Sequence, residues 1–227
     1  MSPEDLAKKA VANTAAEFVE DGMLVGLGSG STAQFFIERL AKRCKEGLSI
    51  KAVASSKTSG VLAKKHGIPL IDIEKISTLD LTVDGADEID SEKRMIKGGG
   101  GAFVREKIVA AMSREMVVIV DESKLVPQLG TRKLPVEVLP FAHNATAHHL
   151  AKGGYKGSWR KNPDGSHYIT DNQNLIFDIQ FDEPCSGPEK EHDALLRIPG
   201  VIDTGFFFNL AGRVIIGFFD GQIVIQP

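Results

Sequence analysis

Four consecutive glycines, Gly98 to Gly101, constrain this chain more than any other feature. A glycine run has the conformational freedom of a linker. This one follows a short apolar step, Met95-Ile96, and leads straight into a helical pattern from about Ala102. A linker is out of place in mid-domain between a strand and a helix. A ligand site is not, because residues without Cβ let a molecule approach the backbone and let N–H groups converge on it. The flanks carry chemistry: positions 84 to 106 read DGADEIDSEKRMIKGGGGAFVRE. Asp84 and Asp87 follow an apolar run (Leu79, Leu81, Val83), Lys97 precedes the glycines, and Glu106 lies just inside the helix. Acids, a base and a cation beside an anion-friendly loop point to proton transfer on a small polar substrate. Taken singly, each has an ordinary reading as well. DGAD is also an Asx-rich turn, and Glu106, opposite Val104 and Ile108 on a helical wheel, is also a solvated surface residue.

The rest of the first half alternates between two periods. Ser2-Pro3-Glu4-Asp5 starts a helix whose stripe is Leu6, Ala10, Thr14 and Phe18. Met23–Leu27, Ile50–Ala54, Leu70–Ile73, Leu79–Val83 and Met116–Val120 are expected strands. Ala33, Phe36, Ile37, Leu40 and Ala41 mark a second helix, Val61–His66 a third, and a fourth runs from about 102 to 113. This alternation predicts an α/β fold, a Rossmann-like and mostly parallel sheet with helices on both faces. After Lys124, prolines at 127, 135 and 140 break the pattern. A smaller α+β region follows, with strands at Val136–Val138, Tyr168–Ile169 and Leu175–Phe177 and helices near 145–152 and 189–197. Gly157 to Gly165 reads as a polar loop around Trp159. Phe206–Phe208, Val214–Phe219 and Ile223–Ile225 read as strands and are expected to return to the first sheet. The predicted domains are therefore 1–126 with 204–227, and 127–203.

Strand C-termini share one edge of a parallel sheet, where ligands bind. Gly26-Leu27-Gly28-Ser29-Gly30-Ser31-Thr32 joins a strand to a helix there, a place for a phosphate on free N–H groups. It is neither a dinucleotide fingerprint, with serine at 31, nor a Walker loop, with no lysine before Ser31-Thr32. Ser55 to Ser59, Asp84 to Asp87 and Asp121 to Lys124 end other strands and are expected at the same edge, although Ser56 is equally a helix cap.

Composition excludes several classes. A net charge of −3 offers no general attraction to nucleic acid or acidic membranes. No apolar run approaches the ~20 residues that span a bilayer, and the N-terminus lacks a signal-peptide core. Cys44 and Cys185 give neither a disulfide framework nor metal-ligand spacing, so a reducing cytoplasm is expected. The six histidines form no metal-binding pattern, and no metal is expected.

GLGSGSTA, SSKTSG, VDGADEID, IKGGGGAFVREKIV, DESKLV and TDNQNLIFD, in this order and at these spacings, resemble the A-type ribose-5-phosphate isomerases, from about residue 3 to the C-terminus. The resemblance implies interconversion of D-ribose 5-phosphate and D-ribulose 5-phosphate without a cofactor, in the pentose phosphate pathway. It assigns Glu106 as the proton-shuttling base, with Asp84, Asp87 and Lys97 assisting ring opening and steadying an enediolate. It assigns Lys8, Ser29, Gly30, Ser31, Thr32 and Lys124 to substrate and phosphate, with Gly85, Ala86, Gly98, Gly99 and Gly100 as further substrate contacts. It also implies a Rossmann-like domain with a smaller ferredoxin-like one, assembled as homodimers or homotetramers. Gln173 departs from the family, which usually has glycine there, and puts the local turn geometry in question. Two other readings share related folds: a sugar-phosphate-sensing effector domain and a coenzyme A transferase.

Overall fold

A computed structural model describes all 227 residues. Six helices and thirteen strands are, in chain order, α1 (Pro3–Ala16), β1 (Leu24–Leu27), α2 (Ser31–Lys45), β2 (Lys51–Ala54), α3 (Lys57–His66), β3 (Leu81–Asp84), β4 (Glu88–Ile89), β5 (Met95–Ile96), α4 (Phe103–Ala111), β6 (Met116–Asp121), β7 (Leu134–Val138), α5 (His143–Lys152), β8 (Gly157–Trp159), β9 (Leu175–Ile179), α6 (Pro188–Leu196), β10 (Val201–Thr204), β11 (Phe206–Phe207), β12 (Ala211–Gly217) and β13 (Ile223–Gln226). They fall into two units. The first comprises Met1–Ala86, Arg105–Leu125 and Asn209–Pro227; the second comprises Asp87–Val104 and Val126–Phe208.

The first unit is built on a six-stranded sheet in the order β13-β12-β6-β3-β1-β2. All pairs are parallel except β12–β13. Helices α1, α2 and α3 cover one face, where Phe36, Ile37, Leu40 and Ala63 pack against Val25, Leu27, Val83 and Ile119. Full burial of each large apolar side chain there contributes roughly 1.5–3 kcal/mol. Val109 of α4 and Ile71, Ile73 and Ile76 pack on Val53 and Leu79 at the other face. The sheet thus has helices on both sides, as the alternation predicted.

Helix α1 differs from its expected stripe by one residue. Leu6 is 55% exposed, while Ala7, Lys8, Val11, Ala12, Ala15 and Ala16 are buried. Small residues win because α1 lies close on the sheet: a Cβ added to Gly217 of β12 would stand 2.9 Å from the Ala7 carbonyl oxygen. Its start is a reciprocal cap, Asp5 N–H donating to Ser2 Oγ at 3.1 Å and Ser2 N–H to Asp5 Oδ2 at 3.4 Å. Leu70–Ile73 does not form the expected strand. Only Leu70 bridges to Ala52, and Asp72 then caps a 3₁₀ turn over Ile73–Lys75.

The second unit contains the chain order β7-α5-β8-β9-α6-β10 with sheet order β10-β7-β9-β8, all antiparallel. Counted within the motif this is βαββαβ in the order 4-1-3-2, a ferredoxin-like arrangement. A three-stranded sheet, β11-β5-β4, completes the unit. Residues 87–104 and 204–208 therefore belong here and not with the first sheet, because β11 pairs with β5. Two strand assignments also change. Gly157–Trp159, expected as loop, forms edge strand β8, where polar side chains are tolerated on the open side. Tyr168–Ile169, expected as strand, forms no strand, and Tyr168 N–H donates to the Arg160 carbonyl.

The 170–174 turn wraps the buried Glu137 carboxylate, which accepts from Thr170 Oγ1 at 3.2 Å, Asn172 Nδ2 at 3.0 Å and Asn174 Nδ2 at 2.8 Å. Gln173 sits at its tip with φ 65°. That left-handed conformation costs a non-glycine residue roughly 1–2 kcal/mol, partly offset by glycine's larger unfolded-state entropy. Gln173→Gly is therefore expected to stabilise the chain by about 0.5–1 kcal/mol. A lowered urea midpoint would show that the Gln173 side chain contributes more than its backbone strain.

Candidate active site

In the first unit, the chain leaves β1 toward β2 on one side and leaves β3 toward β6 on the other. The C-terminal ends of β1 and β3 therefore form a switch point, where open α/β sheets take ligands. Gly28 directly follows β1, and Asp84 ends β3. A Cβ on Gly28 would stand 2.2 Å from Asp84 Oδ1, so only glycine fits. Asp84 is 1% exposed, and its Oδ1 accepts the N–H groups of Ser29 at 3.0 Å and Gly85 at 2.8 Å.

Ser29 also gathers the next strand end. Its hydroxyl meets Ser55 Oγ at 3.0 Å, Ser56 Oγ at 2.7 Å and Ser59 Oγ at 3.1 Å. Ser56 caps α3 as well, accepting from Ser59 N–H at 3.1 Å, so its two sequence readings coexist. Gly30, with φ 91°, is the N-cap of α2 and supplies no capping side chain. The first turn of α2, with exposed Ser31 and buried Thr32, is left as an anion-attracting terminus. Thr32 lies beside Gly85, its Cβ 3.9 Å from where a Gly85 Cβ would be, and Ala86 is half-buried.

The two expected lysines are placed less directly. Lys8 is 7% exposed on α1, with its ammonium 2.5 Å from Glu4. Half-buried Lys124 closes a 3₁₀ turn that the buried Asp121 carboxylate starts by accepting Ser123 N–H at 3.0 Å. Glu106, in the first turn of α4, is 5% exposed while Ile108 is 52% exposed. The reading of Glu106 as a solvated surface residue is therefore wrong. The polar and apolar faces of this helix are inverted around it, and the N-terminal partial charge of the helix favours an anion there.

In the second unit, Gly101 N–H donates to the Gly98 carbonyl at 2.9 Å, closing a turn with φ 108° at Gly98 and 81° at Gly101. Asp87 Oδ2 accepts Gly99 N–H at 2.7 Å. Lys97 is 3% exposed, with Nζ 5.6 Å from the Phe207 ring centroid, and its backbone N–H bonds the Gly205 carbonyl at 2.9 Å.

Sequence reasoning missed what lies behind the loop. Arg160 Nη1 donates to the carbonyls of Gly98 at 2.8 Å and Gly99 at 3.0 Å. Tyr168 Oη donates to the Gly100 carbonyl at 3.0 Å, and burial pushes its phenol pKa up, which keeps it a donor. Arg160, Asp87 and Gly99 line one open cavity of about 490 Å³. Nothing in a polar stretch around position 160 signals this, since the partners are 60 residues apart in sequence.

The four glycines are not equivalent. A Cβ on Gly101 would meet the Tyr168 ring at 2.6 Å, whereas one on Gly100 meets nothing within 4 Å and Gly100 has no positive φ. Gly101→Ala is expected to cost about 1–3 kcal/mol and Gly100→Ala to be neutral or stabilising by up to about 1 kcal/mol. Chemical denaturation checks both, and equal losses would refute the distinction.

The profile of the family described as ribose 5-phosphate isomerase A (phosphoriboisomerase A) matches residues 51–221. A relative from Protochlamydia amoebophila named ribose-5-phosphate isomerase A is 53% identical, over 99% of this chain and 97% of its own. One of the same name from Bacillus mycoides is 48% identical, over 92% and 95%. The structure of ribose 5-phosphate isomerase from Plasmodium falciparum superposes with a TM-score of 0.93 at 37% identity, covering 98% of each chain. A D-ribose-5-phosphate isomerase in complex with phospho-erythronic acid superposes with a TM-score of 0.91 at 37% identity, covering 97% of each.

Proposed function

We propose a reaction for this chain on a plain premise: it belongs to the ribose 5-phosphate isomerase A family. It interconverts D-ribose 5-phosphate and D-ribulose 5-phosphate through an enediolate, with Glu106 as the base. The observation that carries the assignment to Glu106 is its burial. A carboxylate taken out of water costs several kcal/mol, and this one stands in the first turn of α4, five residues beyond the last glycine of the loop, at the position the family motif gives its base.

The chemistry follows from the substrate. A pentose phosphate is mostly a closed ring, so acid–base groups must open it first, and Asp84 and Asp87 take that role. Glu106 then removes the C2 proton of the aldose. Negative charge moves onto oxygen, where the Lys97 ammonium and the N–H groups of the glycine loop stabilise it. The hydroxyl proton passes from the C2 oxygen to the C1 oxygen, and the protonated Glu106 returns its own proton to C1; one carboxyl suffices for the carbon-bound proton because the carbons are adjacent. Ser31, Thr32 and the first turn of α2 bind the phosphate, with Lys124 and Lys8 contributing charge. The phosphate is remote from the reacting carbons, so its binding energy positions the sugar.

We assign the reaction to the pentose phosphate pathway in the cytoplasm. No helix is long and apolar enough to cross a membrane. We also propose a homodimer or homotetramer, supported by apolar side chains left on the surface, among them Phe141 at 83% exposure and Ile225 at 46% on edge strand β13. Sedimentation at a single chain mass of 24.5 kDa would overturn it. Family membership leaves the effector-domain and coenzyme A transferase readings without support.

Turnover of D-ribose 5-phosphate in D₂O tests the mechanism. The native chain is expected to place solvent deuterium on the carbon that receives the proton. Folded Glu106→Gln is expected to lose about 10²–10⁴ in rate. Near-native turnover by Glu106→Gln, or complete retention of the original hydrogen at every pH, would remove Glu106 from the mechanism.

A further inference from the structure

We propose that Arg160, held by Asp178 and flanked by Tyr168, is a positioning residue that aims the Gly100 N–H at the reacting oxygens of the substrate. This rests on the isomerisation proposed above, and its two actors, Arg160 and Tyr168, lie outside the motifs that carry the family resemblance.

A trans peptide is planar, so its C=O and N–H point in opposite directions, and fixing one aims the other. In the turn at 98–101, each carbonyl from Gly98 to Gly100 is held. Arg160 Nη1 takes those of Gly98 and Gly99, and Tyr168 Oη takes that of Gly100. The N–H groups across these three peptides are those of Gly99, Gly100 and Gly101. Gly99 N–H is committed to Asp87 Oδ2, and Gly101 N–H to the Gly98 carbonyl. Gly100 N–H has no partner in the protein and stands at an exposed residue. One donor is thus left over, and the group that fixes its direction is the guanidinium.

That guanidinium is itself fixed. Its Nε and Nη2 bind Asp178 Oδ2 and Oδ1 at 2.9 and 2.5 Å, in the paired geometry a carboxylate offers, and both side chains are largely buried, at 16% and 10% exposure. The Tyr168 ring lies 5.8 Å from the guanidinium carbon. The Arg160 backbone is anchored as well, its N–H on the Ile176 carbonyl at 2.8 Å and its carbonyl accepting from Tyr168 N–H at 2.9 Å. A cation on the Gly99 carbonyl also polarises that peptide and strengthens the opposite N–H as a donor. Lysine cannot replace arginine here, since one ammonium cannot make the paired bond to Asp178 and reach two carbonyls.

The test exchanges the charged pair for a neutral one of similar size, Arg160→Gln with Asp178→Asn, so that no buried charge is left unpaired. Tyr168→Phe is the second variant, because it removes only the hydroxyl. Each is compared with the native chain in thermal melting, in turnover of D-ribose 5-phosphate and in affinity for inorganic phosphate and phospho-erythronic acid. The expected result for the pair exchange is a fall in kcat of at least tenfold. KM and phosphate affinity should stay within about threefold, and phospho-erythronic acid, whose carboxyl mimics charge at the reacting end, should bind at least tenfold more weakly. Tyr168→Phe should lower kcat two- to tenfold with KM unchanged.

A folded pair variant with native kcat and native affinity for phospho-erythronic acid would overturn the proposal. So would equal losses of phosphate and phospho-erythronic acid affinity, which would make the arginine merely structural. If the pair variant fails to fold, native kcat in Tyr168→Phe overturns it alone. Absence of turnover by the native chain would instead remove the isomerase reading, and this inference with it.

Discussion

The C-terminal edge of the parallel sheet depends on a side chain that is absent. Without a Cβ at Gly28, the Asp84 carboxylate fits against the end of β1, and a methyl group there would stand 2.2 Å from its oxygen. From that place one oxygen atom accepts both Ser29 N–H and Gly85 N–H, tying the loop after β1 to the loop after β3. Ser29 in turn gathers Ser55, Ser56 and Ser59 from the end of β2. Three strand ends are thus locked by one glycine and one carboxylate, and the start of α2 takes its direction from that lock.

The same device recurs elsewhere in the chain. Glu88, fully buried, accepts Gly130 N–H at 2.7 Å together with Thr131 Oγ1 and Arg132 N–H. Glu137 holds the 170–174 turn through three side chains. Asp90 holds the β4–β5 turn through Glu92 N–H at 2.9 Å, Arg94 N–H at 3.0 Å and Arg94 Nε at 2.7 Å. Burying a carboxylate costs several kcal/mol. Charge-assisted bonds return roughly 1.5–3 kcal/mol each, so two or three bonds offset the cost and leave a loop with one conformation. Loops fixed in this way can present backbone N–H groups without the entropy loss that a mobile loop would incur on binding.

Much of this was legible before any coordinate. The alternation of strands and helices, the glycine turn at 26–32 and the 84–106 stretch are local patterns, and local patterns survive folding. Each misreading has its own cause in the packing. The stripe of α1 was expected on Leu6 because leucine is more apolar than alanine, but a close-packed helix chooses size over hydrophobicity, and Ala7 took the inner position. Strand β8 looked like loop because an edge strand needs no second apolar face. Phe206-Phe207 read correctly as strand, but its partner, β5, lies about 110 residues earlier and could not be read from either segment.

Chemistry is legible along the chain: which residues can carry a proton, a charge or a close backbone approach, and in what order. Asp84, Asp87, Lys97, the glycines and Glu106 lie within 23 consecutive positions, and that density of acids, cation and bare backbone is legible with no knowledge of packing. Environment and orientation came from packing. Periodicity left Glu106 on a solvent face, and packing buried it while exposing Ile108. The Gly99 carbonyl meets Arg160 because β8 lies beside β9, where Asp178 fixes the guanidinium. The direction of an N–H group depends on what holds the carbonyl across its peptide, and that partner lies 61 residues away in the chain.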